Sequence, residues 1–274
     1  MARFLVVASV NADRIWTLAD KLRPGGRHMC TATTTQVGGA GWYSANALRA
    51  AGHEVTLACV LGEDDVGQAL FRRLQVLGID TGAVRRTPRT HSYDILVDPD
   101  GERTLVFPNA LADRPPPILP DRGEFDGTYV NCWVPISVTS RVRKDAPVLI
   151  QLPLRDRTGR YPGTHVVVSR SDTSEPPRAV WARALETTGG QAKGLILTDG
   201  PAPLLVVTPE TETSVPPGPA APPGRMTVGA GDTFAAHLLA GLSTGATAEA
   251  AAASAARAVS LWLAERPEPP TIDA

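Results

Sequence analysis

A run of small residues ending in an acid lies at the start of a predicted helix, in the sequence Thr227-Val228-Gly229-Ala230-Gly231-Asp232-Thr233-Phe234. Small side chains let backbone N–H groups approach a ligand, and the first turn of a helix offers unpaired N–H groups and a positive dipole end. The N–H groups of Gly229, Ala230 and Gly231 are therefore predicted to form an anion hole for a phosphoryl group. A carboxylate beside that group repels it, unless it is there to take the proton from an attacking hydroxyl. The spacing predicts a phosphoryl-transfer site with Asp232 as the general base.

A second interpretation of Asp232 is purely structural. Aspartate is a favoured residue at the N-terminal cap of a helix, and a four-residue motif alone carries a high risk of a false match. The choice between a cap and a base therefore depends on the rest of the chain.

The composition restricts the classes of function. The 274 residues are 43% hydrophobic, which is enough for one large domain with a sizeable core. The formal net charge is −1 and the charges are interspersed, so the chain lacks the basic stripe that nucleic-acid binding needs. Three widely spaced cysteines argue against a disulfide framework and a structural zinc site. We find neither a signal peptide nor an apolar run of membrane-spanning length, so a cytoplasmic location with no membrane partner is expected.

Alternating strands and helices are predicted to position the site. Phe4 to Val10 is a short apolar run typical of a strand buried on both faces. It ends at Asn11 and Asp13, at the edge where open α/β sheets bind ligands. The alternation predicts a mostly parallel sheet with helices on both faces. Further strands are predicted at 55–61, 128–134, 147–152, 165–168, 194–198 and 204–207, and helices at about 39–50, 65–77, 232–242 and 247–264.

A smaller group of strands is predicted outside that sheet. Residues 90–97 and 103–107 flank Asp98-Pro99-Asp100-Gly101, which is a hairpin signal, and residues 14–37 contain a threonine-rich strand. They predict a small antiparallel lid, inserted at about 14–37 and 90–107 into a single domain that spans residues 1–274. A lid excludes water, which competes for a phosphoryl group. Exposed lid strands also make a homodimer through the lid a candidate assembly.

The order of these pieces resembles the ribokinase-like (PfkB) carbohydrate kinase family. The resemblance runs nearly end to end and implies a three-layer α/β/α fold with a mostly parallel central sheet and a small antiparallel β lid. Its pieces are Asn11-x-Asp13, Gly38-Gly39 before an alanine-rich helix, Gly62-x-Asp64-x-x-Gly67, the Asp100-Gly101-Glu102-Arg103 hairpin and the signature from Gly229 to Phe234.

The resemblance also implies an activity. The chain would use ATP and Mg²⁺ to phosphorylate a hydroxyl of a small sugar or sugar-like alcohol, with Asp232 as the base. The residues assigned to the substrate would be Asn11, Asp13, Gly38, Gly39 and Tyr43. Those assigned to the nucleotide would be Thr198 and Gly200, which follow a buried strand, and Ser254, near the adenine.

Several of these residues have equally simple structural interpretations. Asp13 suits an Asx turn after a strand, and Gly38 and Gly39 suit the start of a helix. Thr198-Asp199-Gly200 suits a tight turn. Ser254 lies in an alanine-rich helix, which needs no functional explanation.

The chain departs from the family pattern in four residues or short segments and in the length of its middle part. Tyr43, preceded by Trp42, replaces an asparagine that contacts substrate in many members, and Ala40 replaces a lysine; both changes argue against ribose.

The segment Ser169 to Glu175 lacks the asparagine of the N-x-x-E element that organises magnesium and phosphate, so the metal ligands stay unassigned. Met226 replaces an acid that supports a monovalent-cation site in ribokinase-like enzymes, which argues against potassium activation. The middle of the chain, residues 135–195, is also short for the usual number of βα units.

Three other functions make different demands on the sequence. A nucleoside kinase would use Trp42 and Tyr43 to stack on a base. A non-catalytic sugar- or nucleotide-binding relative would explain the missing N-x-x-E and the change at Met226. A nicotinamide-dependent dehydrogenase is set aside, because the turn after the first strand lacks the G-x-G-x-x-G fingerprint.

Overall fold

A computed structural model describes residues 1–106, 115–121, 123–132, 136–138, 141–151, 160–220, 222, 226–266 and 271–272. The strands, in chain order, are β1 (Arg3–Ala8), β2 (Asn11–Leu18), β3 (Cys30–Gly38), β4 (Glu54–Ala58), β5 (Val60–Gly62), β6 (Arg85–Thr87), β7 (Ser92–Val97), β8 (Arg103–Val106), β9 (Gly127–Asn131), β10 (Val148–Gln151), β11 (His165–Ser169), β12 (Gly194–Thr198), β13 (Leu204–Val207) and β14 (Glu212–Val215). The α-helices are α1 (Ala40–Ala50), α2 (Asp65–Val76), α3 (Pro177–Thr188), α4 (Ala230–Ser243) and α5 (Ala248–Glu265).

The main sheet has the order β14-β13-β12-β11-β10-β9-β1-β4 in the described part of the chain. The six strands from β12 to β4 are mutually parallel, and β13 is antiparallel to both of its neighbours. Parallel strands end at the same edge, so the polar residues that follow β1, β9, β10, β11 and β12 share one edge of the sheet.

Helices cover both faces of this sheet. Along β1, Phe4 and Val6 belong to a core that includes residues of α1, α4 and α5, whereas Leu5 and Val7 belong to a second core that includes residues of α3. Side chains alternate between the two faces of a strand, so a strand buried on both faces shows a continuous apolar run. The predicted three-layer α/β/α fold with a mostly parallel sheet is confirmed.

The predicted second sheet is also present, with the order β3-β2-β7-β8. Its outer pairs, β2 with β3 and β7 with β8, are antiparallel, and its central pair, β2 with β7, is parallel. The lid was predicted at about 14–37 and 90–107, and residue 107 lies outside the described residues. We call this four-stranded sheet the lid; the assignment of the whole chain to one domain stays a prediction.

Some elements differ from the sequence-based expectation. The strand expected at 55–61 is divided, because β4 belongs to the main sheet whereas β5 pairs with β6 in a separate two-stranded sheet. The predictions omitted β6 and β14, which are three and four residues long, and α3. In the short middle of the chain, the described residues 136–138 and 141–151 contain no α-helix, whereas α3 lies towards its C-terminal end. No described helix is long and apolar enough to cross a membrane.

Candidate active site

The first turn of α4 places Asp232 at the carboxyl edge of the main sheet. Gly229 is the N-cap and has a left-handed φ of 83°, and a Cβ there would lie 2.4 Å from ring atoms of Tyr43. Glycine is therefore required both by the backbone conformation and by the close contact. The Ala230 N–H donates to the Thr227 carbonyl at 3.0 Å. The N–H groups of Gly231 and Asp232 lie in the first turn, where a helix has no carbonyl of its own to offer them.

Three groups stabilise the charge of the Asp232 carboxylate. The Tyr129 hydroxyl lies 2.9 Å from Asp232 Oδ1, and the Asn131 amide nitrogen lies 3.5 Å from the same atom. Burial raises the pKa of Asp232, and the Tyr129 hydrogen bond, the positive charge of Arg103 and the Asn131 amide oppose that rise. A carboxylate with a raised pKa is a stronger base than an exposed one, which suits proton abstraction near neutral pH.

Tyr129 connects the ends of two neighbouring strands. Its hydroxyl lies 2.9 Å from Gln151 Oε1 as well as from Asp232 Oδ1, and it accepts from the Asn131 amide at 3.2 Å. Burial, followed by the charge of Asp232, raises the pKa of Tyr129 well above its usual value. The hydroxyl therefore keeps its single proton, which it donates to one of the two acceptors at a time.

A second acid, Asp13, lies in the same site. Its side chain is 2% exposed and accepts a hydrogen bond from the Asn11 amide, which is fully buried. Burial and the charge of Asp232 raise the pKa of Asp13 to about 7, and the Asn11 hydrogen bond opposes this. The carboxyl is thus present in both protonation states near neutral pH. Asn11 Oδ1 has no partner among the described residues, so a ligand hydroxyl is the kind of donor that would satisfy it.

Gly38 and Gly39 bring the backbone against these two side chains. A Cβ on Gly38 would lie 1.8 Å from Asp13 Oδ2, and a Cβ on Gly39, whose φ is +94°, would lie 2.4 Å from Asn11 Oδ1. Only glycine leaves room for Asn11 and Asp13 at this point. The structure thus brings the four predicted residues together, at the junction of β2, β3 and α1.

The aromatic pair on α1 is mostly enclosed by protein. Trp42 is 7% exposed and Tyr43 is 6% exposed, and both belong to the main hydrophobic core. Burial raises the pKa of Tyr43 to about 12. Tyr43 contacts Gly229 and so joins the predicted substrate residues to the Thr227–Asp232 segment, whereas its ring has little exposed surface for stacking.

The residues predicted to bind nucleotide are not joined to Asp232 by any hydrogen bond or ion pair in the described part of the chain. Thr198 ends β12 at the carboxyl edge, and its hydroxyl lies 3.5 Å from the Val168 carbonyl oxygen. Gly200 has a φ of +55° and open space around it. Ser254 is exposed on α5.

The segment expected to organise magnesium makes an ion pair with α3 and a hydrogen bond within itself. Glu175 accepts from the Arg183 guanidinium, and the Arg170 guanidinium donates to the Glu175 carbonyl at 3.0 Å. Within the described ranges, no group of three His, Cys, Asp or Glu side chains is arranged to hold a metal ion. Mg²⁺ keeps several waters and binds largely through substrate phosphates, so a dedicated protein cage is not required for it.

Four functional candidates were not found from the sequence: Tyr129, Asn131, Gln151 and Arg103. Three of them lie at or near the carboxyl ends of β9 and β10, and both strands were predicted. The signal that identifies them is a polar residue at the end of an apolar parallel strand. Arg103 starts β8, and its guanidinium donates to the Thr227 carbonyl at 3.0 Å, a contact 124 residues apart in sequence that no local pattern indicates.

Comparisons with known proteins agree with this architecture. The model of the pfkB family carbohydrate kinases matches residues 1–117 and 168–266, so the chain belongs to this family. The chain is similar to the ribokinase of Bacillus subtilis (strain 168), with 25% identity over 277 residues that cover 95% of this chain and 92% of that protein.

Two solved structures show the same fold. The ribokinase of Cryptococcus neoformans var. grubii serotype A, in complex with ADP, has a TM-score of 0.73 and 24% identity, and the match covers 96% of this chain and 94% of that chain. The nucleoside kinase of Burkholderia thailandensis, in complex with inosine, has a TM-score of 0.72 and 18% identity, with 96% and 91% covered. The resemblance predicted from the sequence is confirmed at the level of the family and the fold.

Proposed function

We propose that the protein phosphorylates a hydroxyl of a small sugar or sugar-like alcohol with ATP, and that Asp232 is the general base. The observation that carries the proposal is the Asp232 carboxylate in the first turn of α4, with buried hydrogen-bond donors on one side and Asp13 nearby. A capping role does not explain Asp232, because Gly229 is the N-cap of α4.

The reaction would use these groups in a defined way. Asp13 and Asn11 would hold hydroxyls of the acceptor, and Asp232 would take the proton of the hydroxyl whose oxygen attacks the γ-phosphorus. As the new P–O bond forms, the bond to the bridging oxygen breaks, and that oxygen leaves with ADP. Of the predicted anion hole, the N–H groups of Gly229 and Gly231 would stabilise the charge on the transferring oxygens, whereas the Ala230 N–H already donates to the Thr227 carbonyl.

The family and one solved relative support the choice of ATP as the phosphoryl donor. The family is one of kinases, and the Cryptococcus neoformans ribokinase was solved with ADP. We assign Thr198, Gly200 and Ser254 to the nucleotide as proposals. Mg²⁺, held through the nucleotide phosphates, would neutralise their negative charge. Asp172 and Glu175, which follow β11, would be the acids to contact its water shell, although Glu175 is paired with Arg183.

The proposal is tested by ADP release from ATP and Mg²⁺ across a panel of pentoses, hexoses, sugar acids and nucleosides. Nucleosides are included because a nucleoside kinase shares this fold. Asp232→Asn should lower kcat by about 10²–10⁴-fold while nucleotide binding is retained, because the variant loses a positioned base. Asp65→Asn, which removes an exposed acid from the first turn of α2, is the matched control and should leave kcat unchanged.

Each outcome decides between the alternatives. Turnover that requires one member of the panel and disappears in Asp232→Asn establishes the kinase and names its acceptor. An Asp232→Asn variant with most of the wild-type turnover rules out its role as the base. Nucleotide binding with no turnover on any acceptor would favour a non-catalytic binding protein.

A further inference from the structure

Arg266, the residue directly after α5, places its guanidinium against the loop that leads to Asp232. One nitrogen, Nη1, donates to the Met226 carbonyl at 2.5 Å, and Nη2 lies 3.4 Å from the Tyr43 hydroxyl oxygen. The guanidinium carbon lies 4.8 Å from the ring centre of Trp262 and 5.7 Å from that of Tyr43. A backbone carbonyl and two aromatic rings are the partners that a desolvated guanidinium favours.

The loop between Met226 and Gly229 depends on positive charge for its shape. The Met226 carbonyl accepts from Arg266, and the next carbonyl, that of Thr227, accepts from Arg103 at 3.0 Å and from the Ala230 N–H at 3.0 Å. Two successive carbonyls therefore accept hydrogen bonds from cationic side chains that are distant in sequence, Arg266 and Arg103. Hydrogen bonds from charged donors are about twice as strong as those between neutral groups, so they hold the loop firmly.

The family resemblance implies a monovalent cation beside this loop, and the residues present do not fit one. Met226 supplies a thioether in place of a carboxylate, and its sulfur lies 4.0 Å from the Gln36 amide nitrogen. The Met226 carbonyl oxygen, which could otherwise contact a cation, already accepts from Arg266. A guanidinium is positive at every pH at which the protein is folded, so a second cation there would be repelled.

We infer that Arg266 is a tethered cation that replaces a bound monovalent cation and positions the loop carrying the anion hole. It acts as a positioning residue, because it contacts Met226 and Tyr43 and not the reacting atoms. The inference rests on the proposed function for its kinetic consequence. Its structural consequence, insensitivity to potassium, does not depend on catalysis.

The first measurement uses the wild-type protein without its activity. The thermal unfolding midpoint is followed in potassium chloride and in choline chloride at the same ionic strength. We expect equal midpoints for the wild type. Arg266→Ala should have a lower midpoint that potassium or dilute guanidinium chloride raises, since either cation can enter the space left by the side chain. A wild-type midpoint that rises with potassium but not with choline overturns the inference, whether or not the protein is a kinase.

The second measurement is steady-state kinetics in the same two salts. Wild-type kcat should be equal in both, and Arg266→Ala should lower kcat by about 10- to 100-fold with a smaller change in the acceptor KM, because the anion hole is misplaced. Dilute guanidinium should restore part of the lost kcat. The matched control is Arg257→Ala, which removes an exposed arginine from α5, the helix that Arg266 follows, and should change nothing.

Three results would overturn the positioning role. They are a wild-type enzyme that potassium stimulates severalfold, an Arg266→Ala variant with wild-type kcat, and a loss of kcat that added guanidinium does not restore in the folded variant. Absence of turnover in the wild type on every acceptor would count against the proposed function alone, because the unfolding measurement still tests the cation.

Discussion

The region around Asp13 and the region around Asp232 hold their carboxylates in different surroundings. Asp13 is enclosed by the backbone of Gly38 and receives one hydrogen bond, from Asn11, which the sequence places two positions away. Asp232 receives its hydrogen bond from Tyr129, on a distant strand, and is stabilised further by Asn131 and by the charge of Arg103.

This difference indicates how two acids in one site can differ in protonation. Both carboxyls have a raised pKa, but more groups around Asp232 favour its charged form. Asp232 is therefore suited to being ionised and accepting a proton. Asp13, with a pKa of about 7, can both accept and donate hydrogen bonds near neutral pH, which suits the recognition of hydroxyl groups.

The largest expected effect is a gain in the free energy of unfolding when the buried Asp13 carboxyl is replaced. Its pKa is higher in the folded chain, so the folded state binds more protons between about pH 4 and pH 7, and stability falls as the pH rises through that range. The Asp13→Asn variant has no carboxyl to titrate at this position, so it lacks this loss of stability. Relative to the wild type, the variant should gain up to about 4 kcal/mol in the free energy of unfolding by pH 8. Urea denaturation over a pH series measures this, and parallel curves for the two proteins would contradict the assigned pKa.

A second prediction tests whether the Asp13 region depends on close backbone packing. Gly38→Ala would put a Cβ 1.8 Å from Asp13 Oδ2, so Asp13 must move. We expect kcat/KM to fall by about 10²-fold, as for a misplacement of about 1 Å, mainly through KM. Gly82→Ala is the matched control, because Gly82 is exposed and its nearest neighbour, Asp80 Oδ1, would lie 3.2 Å from the new Cβ. Equal losses in both variants would show that the effect is not local.

The smallest effect is expected for Tyr129→Phe, which removes the hydroxyl beside Asp232. The hydrogen bond from Tyr129 lowers the pKa of Asp232, so its loss should move the acidic limb of the kcat–pH profile to higher pH. We expect kcat at neutral pH to fall about tenfold, which corresponds to about 1.4 kcal/mol. A profile with an unchanged limb would mean that Tyr129 does not control the protonation of Asp232.

The two regions also differ in how far the sequence predicts them. Asn11, Asp13, Gly38 and Gly39 belong to short motifs, and the pairing of β2 with β3 brings those motifs together: Asn11 lies opposite Gly38 in the sheet register. The general architecture was predictable for a similar reason, because buried parallel strands have continuous apolar runs and helices have caps.

The surroundings of Asp232 were not predictable in the same way. Tyr129 and Gln151 approach Asp232 because β9 and β10 are neighbours in the sheet, and strand order is a property of the whole fold. Arg266 and Arg103 reach the same loop from the end of a helix and from the lid. Such contacts leave no local pattern, because each depends on several elements packing correctly at once.

The strand β2 has a mechanical consequence. It begins at Asn11 and Asp13, in the site, and runs through the lid to Leu18. It pairs with β3 from Asn11 onward, with a register shift between Thr17 and Leu18, and with β7 from Ala12 to Thr17. Because the site and the lid share this stiff strand, neither can change its arrangement alone. Occupancy of the site and the position of the lid therefore form one equilibrium. Linkage then requires that a substitution which shifts the lid equilibrium also changes the apparent affinity for the acceptor by the same factor. This holds even for residues that never contact the acceptor.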